Sequence, residues 1–296
     1  MKKLSQYTPV LLLSLLALCP VEALSAPGQT HHSLWKVSGR TNTVYLLGSA
    51  HFLKPSDYPL PPVIENAFSN SALVVFETDI DKLQSLDVQM RLLKKAQLPP
   101  GQTLRQQLST NTYTAFQEHL KRTGLDEIIF QQLKPALAAM TLEVFAMQKA
   151  GLDPSQGLDQ HFFNLADKAG KKIVPLETVD FQIDLITGFS PEEGELIMKS
   201  TLEDIDTTEK QLGELLDAWR NGESETLQKL LNHAMADAPA IFKRLVTDRN
   251  RQWLPKIAEW SRLDQSVIVI VGAGHLVGPE GVVELLRKQG LKVVQE

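Results

Sequence analysis

Short apolar runs rich in strand-forming residues lie near the two ends of this 296-residue chain and once in its middle. Six of them stand out, at positions 34–37, 43–47, 72–76, 173–176, 267–271 and 291–294. Runs of this length, bounded by turn-forming residues, are typical of buried β-strands. The long stretches between them, about 83–169 and 179–262, have the periodicity of helices.

This distribution predicts an α/β fold whose central mixed β-sheet is formed by the N- and C-terminal segments together with the short middle strand. The first two strands are separated by Ser38-Gly39-Arg40-Thr41-Asn42 and form a predicted β-hairpin. The helical insertions, about 83–169 and 179–262, are expected to form a cap over the sheet. We expect residues 24–296 to form one such domain.

The first 23 residues have the three-part pattern of a secretory signal peptide. Lys2 and Lys3 precede an apolar run from Val10 to Leu18, and Val21-Glu22-Ala23 resembles a cleavage site. The apolar run is short for a membrane span. We therefore expect a periplasmic or secreted protein of a Gram-negative-type envelope, without an integral span after cleavage. Membrane anchoring through an uncleaved N-terminal segment is the alternative.

Charge, cysteine content and missing motifs exclude several functional classes. The formal net charge is -5, and acidic and basic residues are mixed along the chain, so no basic face for nucleic acid is visible. The single cysteine, Cys19, lies within the predicted signal peptide, which leaves the mature chain without a disulfide or a thiol nucleophile. The chain has neither the Gly-x-Ser-x-Gly motif of serine hydrolases nor a phosphate-binding P-loop.

Four of the predicted strands end beside a histidine or a glutamate. Gly48-Ser49-Ala50-His51 follows the second strand and Gly272-Ala273-Gly274-His275 follows the fifth, while Glu77 and Glu177 directly follow the third and fourth. In open α/β sheets, ligands bind at the carboxyl ends of the strands, where distant parts of the sequence meet. We therefore expect these side chains to share one crevice, with the glycines supplying the backbone freedom for tight turns.

Two imidazoles and one or two carboxylates are a suitable donor set for a divalent transition metal that keeps positions open for water. The predicted ligands are His51, Glu77 and His275, and the predicted ion is Mn, Co or Zn. Such an ion would acidify its bound water and polarise a carbonyl group.

Asp248-Arg249-Asn250-Arg251 lies in a predicted helix with apolar neighbours. A guanidinium at this place would orient an active-site carboxylate or bind a substrate carboxylate. An ion pair on the helix surface is the alternative interpretation.

Several of these segments together resemble the TraB/GumN family. The resemblance covers nearly the whole mature chain in the right order. The family includes bacterial envelope proteins and the animal Tiki proteins, which look like divalent-metal-dependent proteases, and erythromycin esterases are similar in their core. The segments that carry the resemblance are Leu34-Trp35-Lys36-Val37, Leu47-Gly48-Ser49-Ala50-His51, Val75-Phe76-Glu77, Leu176-Glu177-Thr178, Asp248-Arg249-Asn250 and Val271-Gly272-Ala273-Gly274-His275-Leu276.

The resemblance implies a set of site residues without assigning their individual roles. The members of the implied catalytic centre are His51, Glu77 and His275, and the implied supporting members are Glu177, Arg249 and Asn250. The chain departs from the family's common Glu-Arg-Asn form at Asp248, which we therefore place outside the centre.

The leading functional hypothesis is an exported metal-dependent hydrolase that acts on peptide bonds, with Glu177 as the general base for a metal-bound water. A metal-independent esterase is the second hypothesis, in which His51 or His275 acts directly as the general base, with Glu77 or Glu177 fixing its tautomer. The third is a non-catalytic periplasmic protein that binds or sequesters a peptide. The expected partner is thus a peptide or a small-molecule substrate, and not a nucleic acid.

Overall fold

The computed structural model describes residues 31–205, 208–234 and 238–296. The predicted signal peptide and its cleavage site lie outside these residues. The β-strands are β1 (Leu34–Ser38), β2 (Thr43–Ser49), β3 (Leu73–Phe76), β4 (Lys172–Pro175), β5 (Val267–Gly272) and β6 (Val293–Gln295).

Helices fill the intervals between the strands and are concentrated in the two predicted insertions. The first seven, in chain order, are α1 (Pro62–Ser69), α2 (Ile80–Gln84), α3 (Leu86–Ala96), α4 (Leu104–Gln107), α5 (Thr110–Thr123), α6 (Pro135–Lys149) and α7 (Leu158–Lys168). The remaining ones are α8 (Val179–Thr187), α9 (Pro191–Asp204), α10 (Thr208–Arg220), α11 (Ser224–Ala234), α12 (Pro239–Phe242), α13 (Asp248–Trp260) and α14 (Val282–Lys288). A π-helical turn, Lys243–Thr247, joins α12 to α13.

The strands form one six-stranded mixed sheet in the order β4-β3-β5-β2-β1-β6. Strands β4, β3, β5 and β2 are parallel to one another, whereas β1 is antiparallel to both β2 and β6. The predicted α/β fold, its hairpin and its sheet built from distant segments are therefore confirmed. The parallel arrangement places the carboxyl ends of β2, β3, β4 and β5 at the same edge of the sheet.

The last strand begins later than the sequence predicts. Leu291 lies in the turn that closes α14, because its N–H donates to the carbonyl of Leu286 after Gly290, where φ is +85°. A glycine with positive φ commonly ends a helix in this way. The strand therefore starts at Val293 instead of position 291.

Two groups of buried side chains form most of the interior. The first, which we call the sheet cluster, contains the strands and the helices against them, and every residue from Val267 to Val271 is at most 1% exposed. Burial on both faces explains why this strand is apolar throughout instead of alternating. The second, the helical cluster, contains buried residues of α4, α5, α6, α9 and α12, such as Phe116 and Leu142.

Within the described ranges, no helix combines the length and the apolar character needed to cross a bilayer. Nothing in the fold tests the predicted boundaries of the single domain, which stay a prediction.

Candidate functional site

The carboxyl ends of the parallel strands bring His51, Glu77 and His275 to one point. A methyl group built on Gly272 would lie 3.3 Å from His51 Nε2, 3.4 Å from Glu77 Oε1 and 3.7 Å from His275 Cδ2. Gly272 also donates its N–H to Glu77 Oε1 at 2.8 Å. We call the position of this absent methyl group the convergence point. The residues around it come from β2, β3 and β5, as the strand-end pattern predicts.

The glycines of the two Gly-x-x-His turns are needed for space and not for unusual backbone angles. None of the three glycines Gly48, Gly272 and Gly274 has a positive φ. The prediction that these turns need the backbone freedom of glycine is therefore wrong. A methyl group on Gly48 would lie 3.1 Å from Ala273, and one on Gly274 would lie 3.1 Å from Leu231 Cδ2. Glycine therefore lets the two turns and α11 approach each other closely.

Arg249, on α13, links the two predicted glutamates. Its Nη2 donates to Glu77 Oε2 at 2.5 Å and to Glu177 Oε2 at 2.8 Å, and its Nε donates to Glu177 Oε1 at 2.8 Å. The residue is only 6% exposed. Arg249 therefore holds both glutamates from a buried position, and a surface ion pair is found instead at Asp248, which pairs with Lys243. That these glutamates are active-site carboxylates stays a prediction.

Glu177 lies beneath the guanidinium and is fully engaged. Besides Arg249, Trp253 Nε1 donates to its Oε1 at 2.9 Å and Gln182 Nε2 donates to its Oε2 at 2.8 Å. The residue is 8% exposed. This geometry gives no support to the predicted general-base role of Glu177, because a base must reach the proton that it removes. Glu177 instead fixes the position of Arg249.

His275 is held by hydrogen bonds at both ring nitrogens. Its Nδ1 lies 2.7 Å from Asn250 Oδ1, and Asn250 Nδ2 donates to the carbonyl of Glu280 at 2.8 Å. Because the amide oxygen can only accept, the ring proton belongs on Nδ1, and the lone pair of Nε2 accepts from Arg249 Nη1 at 3.1 Å. Burial lowers the pKa of His275 to about 3, so this ring is neutral at ordinary pH.

His51 is the accessible histidine at the convergence point, with 43% of its side chain exposed. Its Nδ1 lies 2.7 Å from Asp159 Oδ2, and this leaves Nε2 facing the convergence point. The negative charge of Asp159 raises the pKa of His51 to about 9, against the opposing effect of burial. Water reaches the exposed ring and screens this ion pair.

Glu77 is a carboxylate over the whole physiological range. Burial would raise its pKa, but the positive charges of Arg249 and His51 and the hydrogen bond from the N–H of Gly272 hold the pKa well below its usual value. The site therefore combines a permanent guanidinium, a permanent carboxylate, a neutral imidazole and an imidazole whose proton affinity is increased.

The sequence interpretation missed three neighbours of the site: Asp159, Gln182 and Trp253. Trp253 had a usable signal, because it stands four residues after Arg249 and thus on the same helix face. Its ring centroid is 4.9 Å from the guanidinium carbon of Arg249 and 4.5 Å from the centroid of the His275 ring. Asp159 and Gln182 had no such signal, since only tertiary packing brings α7 and α8 to the site.

In their observed conformations, the side chains of His51, Glu77 and His275 do not form the predicted metal site. Across 31–205, 208–234 and 238–296, no three His, Cys, Asp or Glu side chains are arranged to hold a metal ion. His51 Nε2 and Glu77 Oε1 both lie beside the convergence point. His275 Nε2 is 3.9 Å from Glu77 Oε1, but its lone pair is engaged by Arg249. Metal binding by this chain stays a prediction.

Comparison with protein families supports the resemblance seen in the sequence. The model of the TraB/PrgY/gumN family matches residues 33–295. Comparisons with curated proteins and with solved structures gave no match. The matched range contains all the residues of the site described above.

Proposed function

This chain belongs to the TraB/PrgY/gumN family, and we propose that it is a hydrolase whose reaction takes place at the convergence point. One observation carries the proposal: His51 Nε2, Glu77 Oε1 and the ring of His275 all face that point. A proton acceptor, a fixed negative charge and a buried polar network around one small space are the components of a site for activating water.

His51 is the residue that moves the proton. Its Nε2 takes a proton from a water molecule, while the water oxygen forms a bond to the carbonyl carbon of the substrate. The same proton then passes to the leaving group as the acyl bond breaks, so the ring returns to its starting state. Because the acting form of His51 is neutral and its pKa is raised, the reaction rate is expected to increase as the pH rises above neutral.

Glu77, Arg249 and His275 form the fixed polar surroundings of this water. Glu77 Oε1 accepts a hydrogen bond from Gly272 N and keeps further acceptor capacity on the side of the convergence point. Arg249 holds Glu77 and His275 in place through its contacts to both. Groups fixed before the reaction cost little reorganisation when charge develops in the transition state.

A metal-dependent form of the same hydrolase is the second candidate. A histidine whose Nδ1 is held by a carboxylate and whose Nε2 points outward is the usual arrangement of a metal ligand, and His51 has it. His51 and Glu77 would hold the ion, which supplies a water of lowered pKa when bound. For His275 to join them, its hydrogen bond with Arg249 would have to break.

The substrate class follows from the chemistry and not from a visible pocket. We propose an acyl bond, either the peptide bond of an exported polypeptide or a small ester. Release of the intact peptide after prolonged incubation would instead favour a binding protein that sequesters its ligand.

The test is a cleavage screen with purified protein against a peptide library and a panel of small esters. We expect cleavage by the unchanged chain and at least about a 100-fold lower kcat for His51→Ala. His161→Gln is the matched control, because His161, on α7, packs against the rings of Tyr58 and Phe162, and no hydrogen bond or ion pair among the described residues joins its side chain to the site. Binding without cleavage in every assay, or equal activity of His51→Ala, would contradict the proposal.

The same screen separates the two candidates. Activity that survives a chelator and increases with pH supports His51 acting alone. Activity that is lost with a chelator and restored by Mn²⁺, Co²⁺ or Zn²⁺ supports the metal-dependent form.

A further inference from the structure

The start of α7 is attached directly to the turn that carries His51. Leu53 and Asp153 exchange backbone hydrogen bonds, 3.4 Å for Leu53 N to Asp153 O and 3.0 Å for the reverse, and Leu158 N donates to Ala50 O at 3.0 Å. These contacts flank His51 on both sides in the sequence. The first turn of α7 and the His51 turn are therefore fixed to each other by their backbones, whatever side chains they carry.

Gly157 makes this attachment possible. A methyl group on Gly157 would lie 2.2 Å from the carbonyl oxygen of His51 and 2.8 Å from its carbonyl carbon. The φ of Gly157 is -56°, which any residue adopts, so the need for glycine here is a need for space. Because the chain can approach His51 this closely, Asp159, two residues later, comes within reach of the imidazole.

One oxygen of Asp159 receives two hydrogen bonds from the His51 turn. Ser49 Oγ donates to Oδ2 at 2.5 Å, and His51 Nδ1 lies 2.7 Å from the same oxygen. The carboxylate is less exposed than the ring that it holds, 19% against 43% of the side chain. A charge-assisted bond of this length fixes the rotation of an otherwise accessible ring.

We infer that Asp159 is a positioning residue of the site, which holds the Nδ1–H of His51 so that Nε2 faces the convergence point. The inference rests on the proposed function, in which Nε2 of His51 acts. It gives the first helical insertion a role beyond covering the sheet, since the insertion supplies the group on which the orientation of His51 depends.

The test compares Asp159→Ala with Asp159→Asn. The amide oxygen of Asp159→Asn can still accept from Nδ1, whereas the alanine cannot. In protein with ¹⁵N-labelled histidine, we expect a slowly exchanging Nδ1–H signal of His51, assigned by its absence in His51→Ala. This signal should be kept in Asp159→Asn and lost in Asp159→Ala.

The kinetic readout separates positioning from substrate binding. We expect kcat of Asp159→Ala to fall about 10- to 100-fold while KM stays almost unchanged. The fall in kcat should be smaller for Asp159→Asn, because its amide oxygen can still accept from Nδ1. Ser49→Ala is the matched control, because Ser49 donates to the same oxygen while the bond to His51 remains; a few-fold loss is expected. If Asp159→Ala does not fold, Asp159→Ser replaces it, since serine is favoured near a helix start but is too short to reach Nδ1.

The outcomes distinguish this inference from the proposed function. Full activity of His51→Ala would overturn the proposed function. Loss of activity in His51→Ala, together with an unchanged kcat and an unchanged Nδ1–H signal in Asp159→Ala or Asp159→Ser, would overturn the inference about Asp159 alone.

Discussion

An atom added to Gly272 would meet His51, Glu77 and His275 at once. His51, Glu77 and His275 pack around the space that a Cβ would take, at 3.3 to 3.7 Å from it. The φ of Gly272 is -48°, a value that alanine adopts without strain. A substitution here therefore tests the space itself, separately from backbone geometry.

We predict that Gly272→Ala lowers kcat at least tenfold while the free energy of unfolding changes by less than about 1 kcal/mol. The methyl group would lie beside His51 Nε2 and Glu77 Oε1 and fill the space that the proposed reaction assigns to the attacking water. Steady-state kinetics and urea unfolding measure the two effects. Gly213→Ala is the control, because a methyl group on Gly213 in α10 would meet, among the described residues, no atom outside its own helix turn within 4 Å. Equal kcat for Gly272→Ala and the unchanged chain would place the reaction elsewhere.

The composition of the site could be predicted from the sequence, but the roles within it could not. His51, Glu77 and His275 follow apolar strands, and parallel strands must end at one edge, so their meeting is a consequence of topology. Glu177 follows a strand in the same way and yet lies beneath Arg249. The difference arises from α13, whose Arg249 and Trp253 hydrogen-bond to Glu177, and no local pattern in the sequence records this tertiary contact.

A π-helical turn lies directly before Arg249 and Asn250, the residues with which α13 contributes to the site. It spans the five residues Lys243–Thr247, and the carbonyl of Leu245 within it accepts from Arg249 Nη1 at 3.0 Å. Single π-turns inside helices are frequent at functional sites. Here the turn supplies an acceptor for the one Nη1 proton that is not directed at His275. The helical periodicity predicts a helix at this place but not its local widening.

The contact between α6 and α9 contains a buried glutamate outside the site. Glu143 is 1% exposed; its Oε1 accepts from Thr201 Oγ1 at 2.9 Å, and its Oε2 has no hydrogen-bond partner in the described part of the chain. Burial raises the pKa of Glu143 to about 8, and the charge of Asp204 adds to this increase. The group is therefore protonated in the folded state at neutral pH and ionised in the unfolded chain.

This difference makes the fold less stable as the pH rises. Between the unfolded pKa, about 4.5, and the folded pKa, about 8, the folded state binds one proton more than the unfolded state, so the free energy of unfolding falls with increasing pH. At pH 7 the cost is on the order of 3 kcal/mol. We predict that Glu143→Gln removes this part of the pH dependence and is the more stable protein at pH 8, measured by urea unfolding from pH 5 to 8.

Glu118→Gln, an exposed position on α5, serves as the control for this comparison. It should leave the pH profile of stability parallel to that of the unchanged chain. Parallel profiles for Glu143→Gln and the unchanged chain would show that Glu143 is ionised in the folded protein, contrary to the burial argument.

For the whole molecule, the question is whether the sheet cluster and the helical cluster unfold together. Three side chains of α10 and α11 pack against both clusters: Leu215, Leu230 and Leu231. Leu231 also lies against Gly274, in the turn that carries His275. The site is thus attached to both clusters through Leu231.

Two spectroscopic probes observe the clusters separately. The four tryptophans of the chain all lie in the sheet cluster or pack against it, and they are Trp35, Trp219, Trp253 and Trp260. Their fluorescence therefore follows the sheet cluster, whereas circular dichroism at helical wavelengths follows the helices of both clusters. Coincident transitions by the two probes are a standard criterion for one cooperative unit.

We predict that Leu142→Ala in the helical cluster and Ile270→Ala in the sheet cluster each lower the urea midpoint by the same amount in both probes. Each side chain is 0% exposed, so each truncation should cost about 2–5 kcal/mol of unfolding free energy. Both side chains are fully buried and lose the same number of carbon atoms, and they lie in different clusters. If Leu142→Ala moved the circular dichroism transition and left the fluorescence transition in place, the helical cluster would be a separate cooperative unit.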